Sequence, residues 1–449
     1  MNLRVLPAGS ALILPGSAIL LAVTAWLYPS LLPVPIGALL ALGLIVQASR
    51  HLTAVWVAWL LVAALSLEMA LSDLIGLEAF QPTIAAVKGA EIGLVALTIV
   101  RSGVVPDWCN PVWAFVWIAA MGTIAGIHPD LTMAGMARSM IGSVAPFLVF
   151  FCAKPPGWGS AVRMAVTLAP CLSVVLGSAL YVSGLRPVLV DSGGIRLSGL
   201  GHPAFLAGVC LPAIYAGLLH WLRNGSPRTA MLMGVNLVIL VLTGARAPLA
   251  YAVIVIGGSL IFAPGAAVPR AHRLILLGAA VLASPVLLVV GEAYGSLRLF
   301  ETIAGDASNL SGRDLLWAEF EAAAAQAPRF GWGIGSGNLV IPHDSPLAQL
   351  LGTSAAHNEY LRIRVEGGYI GLTLLIAMFV AWVISHTGRL RRLERMVMRL
   401  IFLTYAAHAA TDNVLISTPA CVFFAFVAAV YAEADDTASI RLRETPDVA

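Results

Sequence analysis

Charge is what this sequence has least of. Aspartate, glutamate, lysine and arginine make up 11% of its 449 residues, while 59% are hydrophobic. A soluble domain holds nearer about 25% charged and 45–50% apolar residues. No soluble core of this length needs so much apolar side chain, so the composition points to repeated runs that span a bilayer. Lysine is almost missing: of 26 basic residues only Lys88 and Lys154 are lysines. No basic block is interleaved with aromatics, and the net charge of +3 is small, which sets nucleic-acid binding aside. The five cysteines, Cys109, Cys152, Cys171, Cys210 and Cys421, show no Cys-x-x-Cys spacing. Neither a disulfide scaffold nor a zinc site is indicated. There is also no internal repeat.

What the chain does have is apolar runs. They begin at Ala11, Leu31, Ala54, Ile84, Pro111, Met140, Met164, Ala204, Ala230, Ala247, Leu274, Val365, Val397 and Leu415. The pattern predicts an all-α polytopic membrane protein with about 12–14 transmembrane helices, some of them short or re-entrant. The run Ala11 to Tyr28 follows Arg4 in the manner of a signal peptide. No small-x-small cleavage site follows it, and Pro29, Pro33 and Pro35 lead into the next run, so it reads as a retained span. Alternate loops carry Arg50, Arg101, Lys154 with Arg163, Arg223 with Arg228, Arg270 with Arg273, and the cluster Arg389, Arg391, Arg392, Arg395 and Arg399. Basic short loops face the cytoplasm, which puts both termini there too. The opposite loops are acidic or neutral, such as Ser72 to Thr83 with Asp73 and Glu78.

One segment, from Gly291 to about Val365, is polar, glycine-rich and too long for a turn. A loop of this length is usually functional, and the alternation of basic loops puts it outside the cytoplasm. The expected organisation is residues 1–291 as N-terminal spans, 292–364 as a large outer loop, 365–432 as C-terminal spans and 433–449 as a polar, mobile cytoplasmic tail. Within the loop, Ser311 and Asp314 form a capping-box pattern for one helix. A second helix starts near Ser354 and runs through Tyr360, with Gly367 and Gly368 as a break. The run Gly331, Gly333, Gly335 and Gly337 lacks a following Lys-Ser/Thr, so it reads as a flexible turn and not a phosphate loop.

Several polar residues stand where topology alone does not ask for them. Arg246 lies at the tip of a hairpin between two short apolar runs, on the side away from the basic loops. A charge at membrane depth costs about 2.5–3.5 kcal/mol unless it meets a partner, a ligand or water; snorkelling at a helix end is the plain alternative. Arg313 sits in the first turn of the loop helix, where a cation opposes the helix dipole by about 0.3–1 kcal/mol. A bound anion would reverse that conflict, as would pairing with Asp314 or Glu301. His357 opens His357-Asn358-Glu359-Tyr360 just before a span, at the height of a membrane-surface site. A neutral imidazole there can take a proton from a hydroxyl, or it can be interfacial without a role. His408 and Asp412, at i and i+4, either line a site or satisfy each other, and Lys88 and Glu91 at i and i+3 read as an internal structural pair.

Taken together and in order, these residues resemble the O-antigen ligase/polymerase family of bacterial membrane glycan transferases. Four stretches carry the resemblance: Arg196-Leu197-Ser198-Gly199 with His202-Pro203; Thr243-Gly244-Ala245-Arg246, where Ala245 replaces the family's usual serine; Ser311-Gly312-Arg313 with Trp317 and the glycine run; and His357-Asn358-Glu359-Tyr360 with Glu366-Gly367-Gly368. The first 190 residues or so match only as generic spans. The resemblance implies a GT-C-like fold with short helices in a periplasmic loop, in the bacterial inner membrane, with the active site facing the periplasm. It implies transfer of a glycan from an undecaprenyl-diphosphate carrier to a hydroxyl of lipid A-core or of a growing polysaccharide, by a metal-independent inverting displacement without cofactor. His357, Arg313 and Arg246 would then be catalytic, and Arg196, Asn358, Glu366 and His408 would bind substrate. Ligase and polymerase both remain open, and a lipid or polysaccharide transporter or flippase is the alternative class.

Overall fold

The computed structural model describes residues 50–67, 69–70, 80–191, 194–293 and 313–444. The described residues from Trp56 onward belong to one compact unit. The expected first two spans, the loop with Asp73 and Glu78, and the Ser311 cap lie outside the described residues.

Fourteen α-helices run through the described chain. They are α1 (Leu52–Ala64), α2 (Phe80–Ser102), α3 (Val112–Ala125), α4 (Met133–Leu148), α5 (Trp158–Val182), α6 (Pro203–Asn224), α7 (Pro227–Leu242), α8 (Arg246–Phe262), α9 (Arg270–Ala293), α10 (Arg313–Gln326), α11 (Pro346–Leu351), α12 (Glu359–Gly388), α13 (Arg392–Ala409) and α14 (Thr418–Glu444). Among the described residues, five stretches are long and apolar enough to cross a membrane: Met133–Phe151, Trp158–Val182, Pro203–Asn224, Glu359–Gly388 and Thr418–Asp436. The helices α1, α3, α7 and α8 are apolar but shorter. At 1.5 Å per residue they reach roughly 20–26 Å, short of a hydrocarbon core of about 30 Å. The expectation of about 12–14 spans allowed for such short or re-entrant runs. Among the described residues, the named strands are a small antiparallel hairpin, β1 (Leu189–Asp191) with β2 (Ile195–Leu197), in the register Leu189↔Leu197.

The helix starts follow local chemistry. Thr132 caps α4 by accepting from Gly135 N–H at 3.0 Å, and Asn358 caps α12 by accepting from Tyr360 and Leu361 N–H. Pro203, Pro227 and Pro346 each open a helix, where the missing N–H costs nothing. At the centre, α6 is buried over most of its length and packs on α5, α7, α8 and α14. The helix α12 packs on α3, α10 and α13.

The two ends of the bundle differ in kind. At one end the basic loops close into an ion-pair network. Glu433 of α14 bonds Arg163 of α5 at 2.6 Å and Arg223 of α6 at 2.7 Å. Arg223 also bonds Glu394 of α13 at 2.7 Å, and Arg391 joins the same carboxylate. The tail expected to start at Glu433 is therefore anchored at its first residue, and α14 continues to Glu444.

The other end is held by a backbone strap. Gly368, with φ +62° and ψ −168°, breaks the helical path of α12, as the paired glycines predict. The break takes neighbouring amides and carbonyls out of the helical ladder, and in an apolar setting each needs a new partner. Residues 328–333 supply them. Trp332 N–H donates to Val365 C=O at 2.8 Å and Gly333 N–H to Glu366 C=O at 2.9 Å, while Tyr369 N–H donates to Pro328 C=O at 2.8 Å. A Cβ on Gly331 would sit 2.4 Å from the Glu366 carbonyl carbon, and one on Gly368 2.3 Å from that of Arg329. Expected as a flexible turn, this part of the glycine run is docked main chain against main chain, at a distance only glycine permits.

Candidate active site

Beside the strap lies a cavity of about 430 Å³. Its wall comes from segments far apart in sequence: Arg138 and Ser139 of α4, His202 and Phe205 at the start of α6, Pro248 and Tyr251 of α8, Asn338, His357, and the turn from His408 through Pro419. The sequence brings them to one end because α4, α6 and α8 all begin there, and α12 starts two residues after His357.

His357 is the focus. Its φ is +46°, a left-handed conformation that non-glycine residues seldom adopt, at a cost of roughly 1–2 kcal/mol. The conformation is held from both sides. Nδ1 lies 3.0 Å from Asp412 Oδ1, and Nε2 lies 3.3 Å from Thr353 Oγ. Asp412 is half-buried, and its second oxygen stands 3.7 Å from His408 Nε2. Burial opposes the charge on Asp412. The hydrogen bond with His357, the two histidine rings and the Asn413 N–H outweigh it and hold the carboxyl at about 2, below its ordinary value. An ionised Asp412 accepts from Nδ1–H, so the neutral His357 ring keeps its lone pair on Nε2.

A buried triad stiffens the floor. Arg362 donates to Glu359 at 2.6 Å and to Glu366 at 2.9 Å. The other oxygen of Glu359 accepts from Leu415 N–H at 2.7 Å, tying α12 to the α13–α14 turn. Lys88 reaches in from α2 and donates to the carbonyls of Ile416 and, at 3.5 Å, Gly142. Pro146 has no N–H to offer Gly142 four residues back, and Lys88 takes that place. The expected internal pair of Lys88 with Glu91 gives way to these two carbonyl contacts.

Of the site residues implied by the resemblance, His357, Glu366 and His408 line the cavity. The carboxylate of Glu366 is engaged by Arg362. Asn358 serves as the cap of α12. Arg196 is buried beneath the hairpin tip and donates to Thr243 C=O at 2.7 Å. Arg246 is the exposed first residue of α8, outside the cavity wall, although Pro248 and Tyr251 of the same helix are in it. Arg313 opens α10, and its side chain lies outside the described residues. One residue the sequence reading missed is Arg138. It is exposed, lines the cavity, and has no hydrogen-bond or ion-pair partner among the described residues. The signal that marked Arg246, an arginine on the side away from the basic loops, marks Arg138 equally well. Among the described residues no three histidine, cysteine or acidic side chains gather as a metal site.

These features define a helical membrane protein with a histidine–carboxylate pair and an unengaged arginine in a cavity at one end of its bundle. Residues 229–376 match the family model described as O-antigen ligase, and this supports the O-antigen ligase/polymerase family for the chain. The matched stretch runs from α7 through the hairpin tip, the strap and His357 to the kink in α12; Arg138, His408 and Asp412 lie outside it. No curated protein matches the chain.

Proposed function

We propose that this protein transfers a glycan from an undecaprenyl-diphosphate carrier to a hydroxyl acceptor at the periplasmic face of the bacterial inner membrane. The observation that carries the reading is the His357–Asp412 pair, set in a cavity at the end of the bundle opposite the arginine-rich loops. Thr353 presents a hydroxyl to His357 Nε2 at 3.3 Å, which marks where an acceptor hydroxyl would sit. In the reaction, Nε2 takes the proton of that hydroxyl as its oxygen attacks the anomeric carbon. The carbon–oxygen bond to the diphosphate breaks, its electron pair leaves with the diphosphate, and the anomeric carbon inverts. Asp412 stabilises the imidazolium formed, the role a carboxylate plays beside any histidine base.

The leaving diphosphate needs cations. A guanidinium binds phosphate oxygens in a planar fork, which suits Arg138 on the cavity wall. Arg246 and Arg313, placed near the hairpin tip and at the start of α10, are the further candidates. Acceptor chemistry divides the family reading into ligation to lipid A-core and polymerisation of repeat units. Deleting the gene and separating surface glycans on a gel tests both. Loss of capped lipopolysaccharide with accumulated carrier-linked polymer identifies a ligase, and single-repeat caps or loss of a free exopolysaccharide identify a polymerase. Unchanged glycans would refute the proposal.

A further inference from the structure

On the other side of the strap from the cavity lies a second recess, of about 220 Å³. Glu319 and Gln326 stand seven residues apart on one flank of α10, beside the face that buries Leu316, Phe320 and Ala324. Both are exposed, and neither has a partner among the described residues. Opposite them is the half-buried indole of Trp332. Its N–H is taken by Ala323 C=O at 3.0 Å, so what it offers the recess is ring surface. His128 packs edge-on against it, with ring centroids 5.4 Å apart. His128 Nδ1 accepts from Asp130 N–H at 3.3 Å, which puts the ring N–H on Nε2.

A carboxylate, an amide and an imidazole N–H around an aromatic surface form the chemistry that recognises a sugar ring, apolar on its C–H face and ringed with hydroxyls. The volume equals roughly seven waters at about 30 Å³ each and falls below the 300 Å³ or so of a drug-sized pocket. It suits one ring and not a long chain. The recess is also next to the chemistry. Ser336 and Val365 line it, while Asn338 and Glu366, two residues and one residue further on, line the cavity. A glycan held at the cavity has only the strap to cross.

We propose that this recess binds one sugar ring of a glycan engaged at the cavity, on either the donor or the acceptor chain. The inference rests on the glycan-transfer reading. The test uses the full-length protein in detergent, with oligosaccharides released from the surface glycan of the producing cells as the probe. Saturation-transfer NMR should show these oligosaccharides binding to the wild type. The double variant Glu319→Ala, Gln326→Ala keeps good helix formers on an exposed face. It should lose most of that signal and raise one KM about tenfold at unchanged kcat, the effect of losing one or two hydrogen bonds. A rise in the donor KM assigns the ring to the donor, and a rise in the acceptor KM assigns it to the acceptor. A wild type without signal, or a double variant with wild-type signal and both KM values unchanged, overturns the inference. His357→Ala separates the two readings. Loss of transfer with the NMR signal intact supports both, whereas full transfer in that variant refutes the catalytic reading and leaves sugar binding to be judged by the NMR alone.

Discussion

Replacing Asp412 by asparagine keeps the shape of the side chain and removes its charge. In the wild type, Asp412 Oδ1 lies 3.0 Å from His357 Nδ1, which fixes the tautomer and waits to stabilise the imidazolium. A hydrogen bond between charged partners is worth about 1.5–3 kcal/mol, and each 1.36 kcal/mol is tenfold in rate. Asp412 keeps 39% of its side-chain surface exposed, so solvent screening pulls the value down. The expected loss in kcat is therefore about 10- to 100-fold, with little change in the KM for the lipid-linked donor. The assay is transfer by the purified protein in nanodiscs, at matched protein level, from pH 5 to 9. The carboxyl is held at about 2, below its unfolded value, so the stabilisation it gives is complete above about pH 4. That stabilisation is lost only as pH falls through the folded value, and no wild-type activity should disappear through Asp412 titration within the assay range. A wild-type kcat in Asp412→Asn would refute the pairing as part of the mechanism. A fall in thermal stability equal to the fall in rate would reassign it to folding.

The remaining expectations concern the same end of the bundle. His357→Ala should abolish most transfer, since general-base help is worth about 10²–10⁴ in rate. His357→Gln should be nearly as poor if the ring removes the proton, and clearly better than alanine if it only orients the acceptor. Arg138→Ala should cut kcat/KM for the donor by about 10- to 100-fold, and Arg138→Lys should recover only a part, because the planar fork is lost; equal rates for lysine and arginine would reduce the role to simple charge. Gly331→Ala should destabilise by about 2–4 kcal/mol through left-handed strain and a backbone clash, read as a lower melting temperature by size-exclusion fluorescence. Glu321→Cys, exposed on α10, should react with a membrane-impermeant thiol reagent once the outer membrane is opened; labelling only after the inner membrane is ruptured would reverse the assigned orientation. Ser336 suits that experiment poorly because it is buried.

Much of this architecture is readable along the chain because its causes are local. The cap at Asn358, the prolines that open helices and the break at Gly368 are properties of a few consecutive residues. His357 and His408 could be singled out because an imidazole at the end of an apolar run is locally conspicuous. What sequence does not carry is which distant groups meet. Glu433 looks like the start of a soluble tail until α5 and α6 bring Arg163 and Arg223 to it. Arg196 and Glu366 look like ligand-binding groups until Thr243 C=O and Arg362 engage them. Arg138 stands just before the apolar run at Met140, and its place in the cavity wall follows only from the packing of distant helices. The docking of the glycine run depends on a kink about 35 residues later, and no periodicity announces it.

The strap also sets which kinds of change this outer segment can accept. Its contacts with α12 join main chain to main chain, so the side chains of Arg329 and Phe330 could be exchanged without touching a rung, whereas Gly331 and Gly333 could not. Length is another matter. Deleting or adding a single residue there would shift Trp332 and Gly333 away from the carbonyls of Val365 and Glu366 together, and each bare group in apolar surroundings costs several kcal/mol. Epitope tags, reporter insertions and loop grafts therefore belong around the exposed stretch at His343 and Asp344, while the six residues of the strap behave as a ruler whose count is fixed, together with its letters at Gly331, Trp332 and Gly333.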